Sequence, residues 1–212
     1  MAFLTEASPE QVKIWCLSHN LNLCIQDTTK SVNESSIFTD LNACATIIKA
    51  SHKRMDIWKE EVPGNRRLGK IGETRRWSKH DVLGKVFGKY GQPSSSLFVS
   101  LIITLERILD LDSVEGSTKQ SVVSIKERLL KFKTVLSAHL FLRIFEITTP
   151  LSKYLQTKGL DILKSHQMVM KTISSLEKIS RDFHDVKRKS TFFAQLENEH
   201  LDKTRGMRQM KL

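Results

Sequence analysis

Leu97-Phe98-Val99-Ser100-Leu101-Ile102-Ile103-Thr104-Leu105-Glu106-Arg107-Ile108-Leu109-Asp110-Leu111 is apolar nearly all round a helix. Leu97, Phe98, Leu101, Ile102, Ile103 and Leu105 leave no broad polar stripe, so the segment predicts a central helix covered by its neighbours. Gly91-Gln92-Pro93-Ser94-Ser95-Ser96 turns into it, and Asp112-Ser113-Val114-Glu115-Gly116 leads out.

Downstream, Ser117-Thr118-Lys119-Gln120 reads as a capping box, in which a hydroxyl and an N3 side chain satisfy early helix amides. The run after it places Val122, Ile125, Leu129, Phe132 and Leu136 at heptad spacing, then Leu140, Ile144 and Ile147, a pattern of bundle core. Pro150 is expected to break or kink this run. Leu160, Leu163, Met170, Ile173, Leu176, Ile179 and Phe183 mark a further amphipathic helix, and Phe192, Phe193 and Leu196 begin a last one that fades into a basic tail. The pairs Met168/Met170 and Phe141/Phe145 read as core packing.

Upstream, residues 34–61 form one helix candidate through Ile37, Leu41, Ala45, Ile48, His52, Met55 and Trp58, stopped by Pro63-Gly64-Asn65. A basic loop follows over 62–77, then Ser78-Lys79-His80-Asp81 as a second capping box opening a short helix to Tyr90. Val12-Lys13-Ile14-Trp15-Cys16 alternates and is β-prone, suiting an edge strand. The expected architecture is therefore mainly α, a helical bundle behind a small N-terminal remnant. Its parts are 1–33 with a Cys-x-x-His segment, 34–90 with the basic loop, 91–185 as the bundle, and 186–212 as a basic tail.

Among 212 residues, 40% are hydrophobic and 27% charged, which is globular rather than disordered composition. The net charge of +11 points to a polyanion partner, since Lys and Arg release counterions when they neutralise phosphates. Residues 49–90 carry 12 basic and 5 acidic side chains, so most of the excess lies there. Three cysteines, an odd count, argue against a secreted disulfide scaffold. The first residues read as no signal peptide. The most apolar later stretch, 134–151, contains His139, Arg143 and Glu146, against a membrane span.

Cys16-x-x-His19 has the spacing of half a zinc site, without a second pair at ligand spacing among Cys24, Cys44, His52 and His80. No metal, cofactor or small-molecule substrate is expected. Arg66, Arg67, Lys70, Arg75, Arg76 and Lys79 supply phosphate-binding cations around Trp77, whose π-face can stack on an unpaired base. Asp40, Asp56, Asp81, Asp110, Asp112 and Asp161 are the acids a two-metal site would recruit, and their spacing converges nowhere.

Cys16-Leu17-Ser18-His19-Asn20-Leu21-Asn22-Leu23, then Glu73-Thr74-Arg75-Arg76-Trp77, then Leu151-Ser152-Lys153-Tyr154-Leu155-Gln156 resemble, in that order, landmarks of the hAT-type DNA transposases and of the MYM-type zinc finger proteins carrying a transposase-like region. The resemblance spans roughly residues 10–185. It implies an RNase H-like α/β fold interrupted by a helical insertion, with Cys16, His19 and Asn22 as structural motif residues. It also implies that Arg76 and Trp77 handle DNA strands, although Arg75 interrupts the usual Thr-Arg-Trp spacing. The family's catalytic aspartates would lie upstream of this chain, and neither of the chain's late glutamates, Glu197 and Glu199, is placed on the family's glutamate. The expectation is a truncated, inactive transposase-like protein binding DNA in the nucleus, with the cytoplasm as the other location; Lys187-Arg188-Lys189 is short for an import signal. The alternative is a helical module that self-associates or binds a protein partner, with incidental basic charge.

Overall fold

The computed structural model describes residues 37–62, 64, 66, 68 and 76–209, with side chains given from 79 to 207 in the last stretch. Among them are eight α-helices and no strand: α1 (Ile37–Lys49), α2 (His52–Glu61), α3 (Arg76–Phe87), α4 (Phe98–Leu109), α5 (Gly116–Leu130), α6 (Phe132–Tyr154), α7 (Ile162–Arg181) and α8 (His184–Gln209). The expected RNase H-like remnant, with its edge strand and Cys-x-x-His segment, lies outside the described residues. No described helix is long and apolar enough to cross a membrane.

The segment 97–111 takes the central place its composition demands. In α4, Phe98, Leu101, Ile102, Ile103, Thr104, Leu105 and Ile108 are buried, and the helix packs against α2, α3, α5 and α8. Its two charged residues reach opposite neighbours. Arg107 pairs with Glu60 and Glu61 at the end of α2 (2.7 and 2.8 Å), and Glu106 takes Arg205 of α8 and Lys126 of α5. Burial pushes the Glu106 carboxyl up, but Arg205 and Lys126 outweigh it and hold it below the usual range. Ser96 fixes the entry to α4: its hydroxyl donates to Val86 O (2.9 Å) and accepts from Phe98 N (3.0 Å).

One core runs through helices on both sides of the expected boundary at residue 90. It joins Leu41, Cys44 and Ile48 to Leu83, Phe87, Leu101, Leu129, Phe145 and Phe193. Aromatic rings form its middle: Phe87, Phe98 and Phe193 lie 5.4–5.6 Å apart, and His139 meets Phe193 edge-on at 4.9 Å. A second group joins Phe38 to Phe141 and Phe145, as expected of that pair. Asp40, buried at the start of α1, receives Arg128 Nε and Nη2 from α5 at 3.0 and 2.7 Å.

Several expectations fail on local grounds. The helix expected over 34–61 is two, because Ser51 is extended (φ −149, ψ 141). Neither expected capping serine stands at an N-cap. Ser78 lies inside α3, which starts at Arg76, and Ser117 lies inside α5, whose cap Glu115 makes no side-chain bond. The heptad run through Phe132 is interrupted at Lys131 (φ −67, ψ 131); the break resets the register and Phe132 is left exposed. Pro150 does not break α6. Pro150 and Glu146, whose carbonyl loses its amide partner, both face water, while Leu151 and Ser152 beyond them are buried and hold the last turn in place.

α7 buries only part of its expected apolar face: Leu176 and Ile179 are half-buried. Ser165 and Thr172 are buried against α6, their hydroxyls returned to Asp161 O and Met168 O (2.7 and 2.8 Å). Leu163, Met170 and Ile173 are exposed instead, so Met170 is not core. The residues read as a basic tail continue as α8, which packs along α6 and α4 and buries Val186, Phe193 and Leu201.

Candidate nucleic-acid interface

The basic segment is fixed from below by an apolar residue on either side of Arg66. Val62 and Leu68 are buried, and the Trp58 indole N–H donates to Arg66 O at 2.9 Å. Arg66 itself is exposed, and its guanidinium donates to Ser95 O at 3.2 Å, beside the start of α4. A guanidinium carries five donors, so one such bond leaves it able to meet a phosphate.

α3 continues the surface. Val82, Leu83, Val86 and Phe87 face the core, while Asp81 and Lys85 face water. Lys79 is half-buried with its ammonium 5.1 Å from the Phe38 ring centre, so part of its charge is engaged with α1. Lys89 is exposed in the turn that follows. Gly88 makes this turn possible: at φ 77, a Cβ would lie 2.9 Å from Gln92 O and 3.0 Å from Pro93 Cα. Arg76 and Trp77 occupy the first turn of α3 by backbone, and their side chains lie outside the described set. Arg67, Lys70 and Arg75, with Cys16, His19 and Asn22, also lie outside the described residues.

The candidate acids are dispersed. Asp40 is tied to Arg128, Asp56 to Lys59, and Asp161 caps α7 by accepting from Lys164 N (3.1 Å). Glu197 is buried beside Ser96, and burial raises its carboxyl above the usual range. Among the described residues no group of three or more His, Cys, Asp or Glu could hold a metal ion.

A second basic surface, not foreseen from sequence, lies where α6, α7 and α8 meet. Lys189 Nζ sits 4.1 Å from the Tyr90 ring centre and the Arg143 guanidinium 5.2 Å from it. The Tyr90 hydroxyl donates to Asp185 at 2.8 Å. That bond, with those from Arg188 and Lys189, holds Asp185 down to about 2. Arg143, Lys178 and Arg181 line the cleft beside it. The only sequence signal was the Lys187-Arg188-Lys189 run, which does not reveal that Tyr90, about a hundred residues earlier, would lie against it. Comparison with protein-family models, curated proteins and solved structures finds no match to this chain.

Proposed function

We propose that this chain binds nucleic acid without cutting it, as an inactive hAT-transposase-like protein acting in the nucleus. The observation that carries the reading is the clustering of positive charge, net +7 over residues 49–90 within a chain of net +11. Arg66, Lys85 and Lys89 are exposed within that region. Fixed cations cost less entropy on meeting a phosphate than cations on a free chain.

The test is binding of the purified chain to single-stranded and hairpin DNA over a salt series. Arg76→Ala should lower the salt slope by about one. Trp77→Ala should weaken single-strand binding by about 1–3 kcal/mol. Binding no stronger than that of an unrelated basic protein would defeat the proposal. Mg²⁺- or Mn²⁺-dependent cleavage of the DNA would defeat its non-catalytic part.

A second reading, a helical module for self-association or a protein partner, is favoured by α7. There Ile162 is 82% and Leu163 69% exposed, and with Met170 and Ile173 they fall within one sector of the helix. A single monomer boundary in sedimentation at high protein concentration would count against self-association.

A further inference from the structure

His184, Lys187, Arg188, Thr191, Phe192 and Gln195 line one shallow surface cavity of about 410 Å³ on α8. Their spacing of three and four residues puts them on a single outward stripe. Phe192 is 56% exposed on that stripe, while the adjacent Phe193 is 1% exposed in the aromatic core. Since Phe193 already fulfils the packing role, Phe192 is not needed to hold α8 to the bundle.

The surroundings of this ring are cationic. The cavity lining contains no carboxylate. Lys187 has no ion pair among the described residues, and Arg188 uses one terminal nitrogen on Asp185 (2.8 Å) while its side chain is 78% exposed. Lys178 and Arg181, in the last turn of α7, line the Tyr90 cleft together with Asp182 and Asp185. Of the acids at the start of α8, Asp182 accepts from His184 N (3.0 Å) and Asp185 serves Tyr90 and Lys189. An apolar protein partner seated on Phe192 would have to desolvate Lys187 and Arg188 without neutralising them. A nucleic-acid strand supplies both a π-face for the ring and phosphates for the cations.

We infer that the outward face of α8 is a single-stranded nucleic-acid strip, with Phe192 as the base-stacking platform and Lys187 and Arg188 as its phosphate contacts. The inference rests on the nucleic-acid reading above but places contact at a surface separate from Arg66 and Lys79.

The experiment is fluorescence anisotropy of the full chain with a labelled oligodeoxythymidine. It compares Phe192→Ala, Phe192→Leu, Phe192→Trp and Lys187→Ala, each first matched to the parent by thermal melting. Phe192→Ala and Phe192→Leu should both weaken binding, by about 5- to 150-fold for the loss of one stacked base. Phe192→Trp should keep it, and Lys187→Ala should lower the salt slope by about 0.7. A parent that binds while all four variants match it overturns the strip and leaves the nucleic-acid reading standing. A parent that does not bind overturns both. Equal affinity of the Leu variant and the parent, with Ala weak, makes the contact one of apolar packing and overturns the stacking role.

Discussion

The Trp58 indole holds the Arg66 carbonyl at 2.9 Å, so the basic segment is tied by its backbone to a core residue, beside the exposed bond from the Arg66 guanidinium to Ser95 O. Trp58→Phe should therefore cost about 1 kcal/mol, the net worth of one hydrogen bond with packing mostly kept. Arg66→Ala preserves the bond and should change stability by less than about 0.5 kcal/mol. Urea denaturation of the two variants checks the contrast. Equal losses would place the anchor in the guanidinium.

Asp40 is buried and depends on Arg128, whose side chain is 35% exposed. Arg128→Ala should destabilise by about 2–3 kcal/mol, less than the loss for a fully buried pair because water screens part of the interaction. Asp40→Asn in the Arg128→Ala background should recover part of it, since the uncompensated charge is gone. Guanidinium melts of the single and double variants measure the coupling.

Burial first, and then the Asp40 carboxylate, push the Cys44 thiol up to about 12. The thiolate is the nucleophile, so Cys44 should resist alkylation by iodoacetamide in the native chain and react once urea unfolds it. Peptide mass spectrometry reads this directly, and rapid native labelling of Cys44 would contradict its place in the core.

His139 is buried with Nδ1–H donating to Val135 O at 3.0 Å, and burial lowers its pKa below the ordinary 6.5. The unfolded chain then binds a proton that the folded chain refuses, so stability should fall as pH drops through the unfolded value toward the folded one. The urea midpoint should decline as pH falls through about 6.5, the unfolded value, and below it, and the decline should be shallower in His139→Leu. An unchanged slope would assign it to other groups.

Phe192 and Phe193 give the sharpest local contrast. Phe193→Ala should cost about 3–5 kcal/mol, as for other large cavities in a packed core. Phe192→Ala should stay within about 0.5 kcal/mol of the parent, the usual range for an exposed position. Thermal melting separates them, and similar losses would refute the orientation of α8.

Much of the bundle was legible because apolar composition reports burial irrespective of direction. Leu97–Leu111 needed no choice of face, and it sits at the centre. Expectations failed where a face or a boundary had to be chosen. Lys131 changes only its ψ, and that suffices to part α5 from α6. Ser165 and Thr172 hide their hydroxyls on their own helix carbonyls, so polar residues occupy the packed side of α7. At the candidate interface, charge density pointed to the Arg66 region, but Trp58 as its anchor and the approach of Tyr90 to α8 depend on tertiary contact that spacing along the chain does not encode.

The link between Tyr154 and Ile162 is exposed over Gln156–Gly159 and turns at Gly159 with φ 73. α6 and α8 pack directly on each other, while α7 between them adds none of its residues to the main core. A tryptic cut after Lys158 would therefore sever the covalent chain without removing the contacts that keep the two pieces together. They should travel as one particle through gel filtration and separate in denaturant, a split protein whose two unequal pieces could be expressed apart and mixed.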